Sequence, residues 1–173
     1  MRFQNRFLPS YDFSKAQEVP PEERIRLAVA AIREHQDREG IQAFFPAPLI
    51  PEYPTPGTEL DALEAELGVP LPPEYRAFLA QYRYFTIDDG LQVWGLDFEG
   101  ASYGSPWVSE EHRAGDRFLV FGDFWRMADG DQLMFDLMEP EQHVVAYLHE
   151  HGPSFEPFAP SFSFALWRLA FEG

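Results

Sequence analysis

The sequence predicts an α+β fold: a single domain whose mostly antiparallel or mixed central sheet is flanked by N-terminal helices and a C-terminal helix. Three observations predict it. Apolar residues recur with a helical period before residue 82, the period changes to two after that residue, and a last amphipathic segment follows residue 160. The spacing of the predicted strands suits hairpins better than parallel crossovers, which need a dozen or more residues each.

The sequence predicts three helices before the sheet. Each begins at a proline pair or a capping residue, and each ends at a glycine or where the spacing of apolar residues stops being helical. We predict them to begin at Pro20–Pro21, Thr58 and Pro72–Pro73 and to end at Gly40, Gly68 and Tyr82. In the first helix, Ile25, Val29 and Ile32 recur on one face, which is typical of a helix that packs against a core.

Composition divides the chain at residue 57. Residues 46–57 carry five prolines, which is typical of an extended connector that is either draped on the domain or joins the N-terminal part to it. We therefore expect residues 1–57 to form an N-terminal arm, helix and connector, and residues 58–173 to form the α+β domain.

Five strands with alternating apolar residues follow the third helix. We predict them over Tyr84–Ile87, Leu91–Leu96, Arg117–Phe121, Gln132–Leu137 and Val144–Leu148. The first two form a hairpin, since Gly90 in the turn between them supplies the positive φ that a tight connection needs. Residues 97–116 are predicted as a long polar loop, and Ser161 is predicted to cap the final helix.

Negative charge is concentrated in one part of the chain. Residues 1–50 hold seven acids and seven Lys or Arg, whereas residues 51–173 hold 22 acids and six Arg, which accounts for the whole net charge of −16. Such a field favours a basic protein partner, and it repels nucleic-acid phosphates and anionic lipid. We therefore predict no nucleic-acid or membrane partner.

The composition excludes several classes of site. There is no cysteine, so the chain has no disulfide, zinc–thiolate site or cysteine nucleophile. Neither of the two common phosphate-binding glycine motifs occurs, and we predict no cofactor. The N-terminal residues lack the apolar segment of a signal peptide, and no run approaches about 18 apolar residues, so we expect a soluble cytoplasmic protein.

One segment matches the G-x-S-x-G motif of serine hydrolases, with Ser102 between Gly100 and Gly104. That motif needs a strand before the serine and a helix after it. Glu99 interrupts the strand and Pro106 follows where the helix would start. We interpret the segment as a glycine-containing loop and predict that the protein is not an enzyme, with a Ser102 hydrolase as the alternative.

Two further patterns suggest an ion site. On a strand, His149 and His151 would point the same way and chelate a metal, with His143 as a further ligand. Asp129 and Asp131 resemble part of a calcium loop, but the order is wrong and the bidentate glutamate is missing. Surface histidines and an ordinary Asp-Gly turn explain both patterns, and we predict no metal.

Residues 59–79 resemble the opening of the SUKH superfamily, which includes a fungal cell-wall synthesis regulator and many bacterial immunity proteins. The resemblance continues in order through the Gly-Asp turn, the Asp that closes the next strand and the Ser-Phe start of the last helix, and it covers about residues 58–173. The residues that carry it are Glu64, Leu67, Gly68, Leu71, Pro72, Tyr75, Phe78, Leu79, Gly130, Asp131, Asp136 and Phe162. The usual Asn-Gly after the second helix is absent.

The resemblance implies an α+β binding domain without catalysis, typically one that neutralises a toxin, often a nuclease. An acidic inhibitor would complement a basic nuclease, and a regulatory or scaffold module that binds an endogenous protein is the alternative. Trp107, between Pro106 and two acids, is the best-placed aromatic anchor, and core packing is the alternative role for this side chain. We predict a contact surface formed by Asp97, Glu99, Tyr103, Trp107, Glu110, Glu111, Asp129 and Asp131. Asp131 has a competing structural role in the turn.

Overall fold

The computed structural model describes residues 17–39, 43–44, 57–82, 84–87, 91–94, 106–109, 117–124, 130–139, 143–149 and 154–172. The helices in these ranges are α1 (Pro21–Glu39), α2 (Gly57–Leu67), α3 (Pro73–Gln81) and α4 (Phe162–Glu172). None of them has the length and apolar character that a membrane crossing requires.

The described strands form one sheet in which every pairing is antiparallel. They are β1 (Ala43–Phe44), β2 (Phe85–Ile87), β3 (Leu91–Val93), β4 (Trp107–Val108), β5 (Phe118–Phe124), β6 (Gln132–Asp136), β7 (Val144–Leu148) and β8 (Ser154–Ala159). The order is β1-β2-β3-β5-β6-β7-β8, and β4 also pairs with β5. The predicted α+β class is confirmed.

The β3 and β4 strands lie end to end along the same edge of β5. Val93 is paired with Gly122, and Trp107 is paired with Val120 only two positions away. The opposite edge of β5 is paired with β6. The chain therefore leaves this edge after β3 and returns to nearly the same place at β4.

The predicted helices and strands are confirmed to within a few residues, whereas three observed strands were not predicted. The β1 and β4 strands have two residues each, too few to show a period, and β4 lies inside the segment predicted as a polar loop. The β8 strand contains Pro157, which argues against a strand unless that strand lies at an edge. The predicted stop at Gly40, the turn at Gly90 and most of the proline-rich connector lie outside the described residues.

All four helices contribute buried side chains to one core, which also contains side chains from one face of the sheet. Tyr75 of α3 is fully buried at the centre of this core. Its ring packs 5.4 Å from the ring of Phe135 and 5.5 Å from that of Phe121 on the sheet, and 5.2 Å from Phe162 of α4. Aromatic rings at such distances prefer the tilted and edge-to-face geometries seen here.

The first helix shares this core. Ile25, Val29 and Ile32 of α1 are buried in the same cluster as the residues of α3, α4 and the sheet. The helix of the predicted N-terminal part therefore packs on the α+β domain, as its apolar face predicts. The division at residue 57 stays a prediction.

The Tyr75 hydroxyl donates a hydrogen bond of 2.7 Å to the backbone carbonyl of Trp94. Burial raises the pKa of Tyr75 far above its ordinary value, so the hydroxyl remains a neutral donor. This bond ties α3 to the point where the chain leaves β3.

We expect Tyr75→Phe to lower the free energy of unfolding by about 1–3 kcal/mol, because the substitution leaves a buried carbonyl without its donor. Urea denaturation measures the loss. Tyr147→Phe is the control, since water reaches that half-buried side chain and can replace a lost hydrogen bond. Equal stabilities of the two variants would contradict the role given to the Tyr75 hydroxyl.

Candidate functional site

Glu64 holds the link between α2 and α3. Its carboxylate accepts a hydrogen bond of 2.8 Å from the backbone N–H of Leu71 and one of 2.7 Å from Arg76. Gly68 ends α2 with a φ of +71°, a conformation that L side chains rarely adopt. These family-motif residues therefore serve the helix-to-helix turn.

Glu74 at the start of α3 is a buried carboxylate that joins three helices. One oxygen accepts a hydrogen bond of 2.7 Å from the N–H of Ser163 in the first turn of α4. The other accepts a bond of 3.0 Å from Arg24 of α1. A carboxylate is favourable at the positive end of a helix, so Glu74 acts as a cap supplied by another element.

Arg24 extends this connection to the chain before α1. Its guanidinium also donates hydrogen bonds of 2.8 Å and 2.7 Å to the carbonyls of Val19 and Gln17. A cleft of about 480 Å³ lies beside the ion pair, and its walls include Pro21 and Pro73. Sequence reasoning missed Glu74, because its partners lie 50 and 89 positions away and no short motif reports such distances.

Asp131 connects the start of β6 to the end of β7. Its side chain is fully buried, and one oxygen accepts a hydrogen bond of 3.0 Å from the backbone N–H of His149 and lies 3.2 Å from the ring Nδ1. Between the contact and structural roles considered for Asp131, this geometry favours the structural one, since a carboxylate without exposed surface presents nothing to a partner.

The Gly130 backbone completes this arrangement. Its φ is +110°, and an added Cβ would lie only 3.1 Å from Cε1 of His149. The His149 imidazole thus packs on Gly130 and against the Asp131 carboxylate. The other histidine of the candidate chelating pair, His151, and the candidate nucleophile Ser102 lie outside the described residues. Within the part of the chain that the structure describes, no three His, Cys, Asp or Glu side chains come together as metal ligands would.

Asp136, which ends β6, is held by Arg117. The guanidinium contacts both carboxylate oxygens, with 2.9 Å from Nε to Oδ1, and the backbone N–H of Met138 donates to Oδ1 at 3.1 Å. The hydrogen bond from Arg117 lowers the pKa of Asp136 below its ordinary value. The family-motif acids described so far are therefore all engaged inside the domain.

Of the predicted contact residues, Trp107 and Asp131 are described, and Asp97, Glu99, Tyr103, Glu110, Glu111 and Asp129 lie outside the described residues. The ladder nevertheless fixes where their segments attach. The N–H of Trp94 donates to the carbonyl of Phe121 at 2.7 Å, and the N–H of Ser109 donates to the carbonyl of Phe118 at 2.9 Å. Residues 95–105 and 110–116 therefore both join the sheet at β4.

Asp129 attaches elsewhere. Gly130, the next residue, follows the far end of β5, whereas Glu110 follows Ser109 beside the near end of that strand. The seven residues of β5 separate these two attachment points by about 20 Å. The topology thus brings the attachment points of two acidic segments together and places that of Asp129 apart from them.

Trp107 is half-buried. It packs at the margin of a second apolar cluster, formed by Trp94, Phe118, Val120 and Met134, on the sheet face away from the helices. A side chain that is partly packed and partly exposed fits both roles considered for Trp107, and its use as a contact residue stays a prediction.

A comparison with protein-family models matches residues 54–165 to the SMI1 / KNR4 family (SUKH-1). This match covers more than half of the chain and includes the motif residues from Glu64 to Phe162. A search of curated proteins finds no match. The predicted resemblance to the SUKH superfamily is therefore confirmed by an independent route.

Three glycines provide a graded test of the turn geometry. Gly130→Ala is expected to lower the free energy of unfolding most, because it combines a positive φ with a close contact to His149. Gly68→Ala should cost about 1–2 kcal/mol, since only the left-handed backbone opposes it. Gly57→Ala has open space around its Cβ position and serves as the control. Urea denaturation measures all three, and any other ranking would contradict this account.

The Arg117 pair predicts a specific pH dependence. Because the folded-state pKa of Asp136 is lowered, its contribution to stability is present above the ordinary carboxyl value of about 3.9 and is lost as the pH falls through the folded-state pKa. Asp136→Asn should therefore be less stable than wild type at pH 6 by about 1–3 kcal/mol, and the difference should narrow in acid. The exposed Glu66→Gln is the control, and a pH-independent difference for Asp136→Asn would contradict the prediction.

Proposed function

Because the chain belongs to the SMI1 / KNR4 family (SUKH-1), we propose that it is a non-catalytic binding domain, an immunity protein that neutralises a basic, nuclease-type toxin. Membership of this family supports a toxin-immunity or regulatory role in general. The choice of a basic toxin rests on the charge of the chain and on how that charge is used in the fold.

The observation that carries the proposal is the uncompensated acidity beyond residue 50, where 22 acids face six Arg. Three of these arginines lie in the described residues, and each has partners within the domain. Arg76 bonds Glu64, Arg117 bonds Asp136, and Arg168 donates to the carbonyl of Phe158. These cations therefore stabilise the fold and offer little to an acidic partner.

The acids of this part fall into two groups. Glu64, Glu74, Asp131 and Asp136 are occupied by backbone N–H groups or by arginines. Others on the described surface, such as Glu59 and Glu66 of α2, are exposed. Since the fold uses only some of its carboxylates, the remainder sets the field that an approaching partner meets.

A basic nuclease binds the phosphate backbone through clustered Lys and Arg, and an acidic protein competes for the same side chains. Inhibition then needs no chemistry, because a protein seated over the phosphate-binding cleft excludes the substrate. Complementary fields also raise association rates, toward about 10⁸–10⁹ M⁻¹s⁻¹ at low salt. Fast capture matters for immunity, since a nuclease damages the cell for as long as it remains free.

The test uses the nuclease domain of a toxin encoded beside the gene for this chain. We expect the double variant Glu110→Lys/Glu111→Lys to slow association about tenfold at low salt, because two attractive charges near β4 become repulsive. Stopped-flow mixing over a range of salt concentrations measures the rate, and inhibition of DNA or RNA cleavage measures the outcome.

The matched control is Glu59→Lys/Glu66→Lys, which changes the net charge equally at two exposed residues of α2. Its effect on association should be smaller if the β4 region faces the toxin. A rate that ignores salt and both double variants would defeat the electrostatic account. The absence of a toxin gene nearby, with recovery of a defined endogenous complex, would favour the regulatory alternative.

A further inference from the structure

The sheet has a second apolar face, opposite the helices. Trp94, Phe118, Val120 and Met134 are buried there, and Trp107, Val145 and Tyr147 pack against them. Within the described residues, this cluster contains side chains of the sheet and of Trp94, which directly follows β3, and no helix contributes to it. The domain thus has one face closed by helices and one face formed by the sheet itself.

The strand register orders this outer face into rows that run across the sheet; two of them reach β8, and Phe118 lies opposite Asp136 in a further row. The pairings place Trp107, Val120, Met134, Val145 and Pro157 opposite one another from β4 to β8. The neighbouring row contains Asp123, Gln132, Tyr147 and Phe155. One row is wholly apolar, and the second changes from polar at β5 to aromatic at β8.

The outer face is curved. The rings of Phe118 on β5 and Phe155 on β8 stack with centroids 4.6 Å apart, although β6 and β7 lie between their strands. In a flat sheet those two strands would be about 14 Å apart, too far for the rings to meet. The face is therefore concave, and Tyr147 lies beside the stacked pair at 5.3 Å from Phe155.

Part of this concave face is open to solvent. Phe155 is 37% exposed, Pro157 is exposed, and Val145 and Tyr147 are half-buried. Aromatic residues that are packed from below and open above are over-represented among the side chains that dominate binding energy at protein interfaces. All four of these exposed or half-buried residues belong to β7 or β8, so the solvent-accessible part of the face lies on that side of the sheet.

The edge of β8 is protected against the addition of another strand. Pro157 has no N–H to donate, and Arg168 of α4 occupies the carbonyl of Phe158 while its guanidinium lies 4.6 Å from the Phe158 ring. Proline and charged groups at a sheet edge are common means of preventing strand pairing. A partner would therefore contact the concave face rather than extend the sheet.

Charge selects the kind of partner. A second copy of this chain would bring another net charge of −16 to the contact, and phosphate or anionic lipid would be repelled as well. A basic protein is attracted, and its Lys and Arg side chains interact favourably with the faces of Tyr and Phe rings. Trp107, which packs at this face, belongs to β4, the strand at which both acidic segments attach.

We propose that the concave outer face, from Trp107 to Phe155 and Pro157, is the docking surface for a basic protein that inserts an apolar side chain flanked by Lys or Arg. This proposal rests on the proposed function, since it names the surface that the toxin would occupy. The acidic segments guide the approach, and the partly exposed rings of Tyr147 and Phe155, which are supported by the buried Phe118, hold the bound partner.

The first experiment tests the proposed surface with synthetic peptides, without the toxin. Isotope-labelled protein is titrated with a synthetic amphipathic peptide of Leu and Lys and, in parallel, with its Leu and Glu counterpart. The Lys peptide should shift the NMR signals of Val145, Tyr147 and Phe155 and leave Leu27 unchanged, whereas the Glu peptide should shift none of them. Signals that shift mainly on α1, or equally with both peptides, would overturn the proposal.

Variants give the second readout. Phe155→Ala should weaken binding of the Lys peptide at least fivefold, whereas Leu27→Ala, which removes an apolar side chain of similar exposure (40%) from α1, should not. Pro157→Lys repels a cationic partner without removing a buried side chain, so it replaces Phe155→Ala if that variant unfolds. Unchanged affinity in folded variants of both kinds would overturn the proposal.

The nuclease domain of the neighbouring toxin distinguishes the two proposals. If wild type inhibits the nuclease and Phe155→Ala and Pro157→Lys inhibit it equally well, the proposed function stands and this surface is wrong. If wild type inhibits no such nuclease, the proposed function fails, and the peptide map alone decides whether the concave face binds basic partners. Inhibition lost in both variants, with faster dissociation, supports both.

Discussion

The contact between Tyr75 and the chain at Trp94 determines how the two sides of the domain are related. The Tyr75 ring fills the centre of the helix-side core, and its hydroxyl holds the Trp94 carbonyl. Trp94 in turn contributes to the cluster on the opposite face. One residue therefore connects the core that stabilises the fold to the point from which residues 95–105 depart. A change there would alter both stability and the placement of the acidic segments.

A chain with this net charge folds because its buried carboxylates are satisfied individually. Glu74 accepts from a helix N-terminus and from Arg24, and Asp136 accepts from Arg117 and from a backbone N–H. A buried charge without such partners would destabilise the fold strongly. Because nearby cations and N–H groups compensate the charge of these buried acids, the remaining repulsion is mainly between exposed acids. Solvent and salt screen that repulsion.

The sequence predicted whatever depends on local periodicity, and it failed where distant parts of the chain meet. The faces of α1 and α3 follow from apolar spacing, and the positions of Gly68 and Gly130 follow from turn chemistry. The role of Glu74 depends on Arg24 and Ser163, which no local pattern connects to it. The β4 strand has too few residues to show alternation, so Trp107 was predicted in a loop. The outer face escaped prediction because alternation cannot show whether a second layer covers a sheet.

In the proposed inhibitor, the inner face of the sheet provides stability and the outer face provides the contact with the partner. Helices close the inner face, so its aromatic residues contribute to stability and cannot contact a partner. The outer face has no described helix above it, and its partly exposed aromatic residues Tyr147 and Phe155 pack against each other and, through Phe155, against the buried Phe118. Long-range charge mainly sets the rate of association, whereas packed apolar contacts mainly set the rate of dissociation. The proposed function therefore assigns rapid capture to the acidity of the chain and slow release to the concave aromatic face, so that different residues would control the two rates.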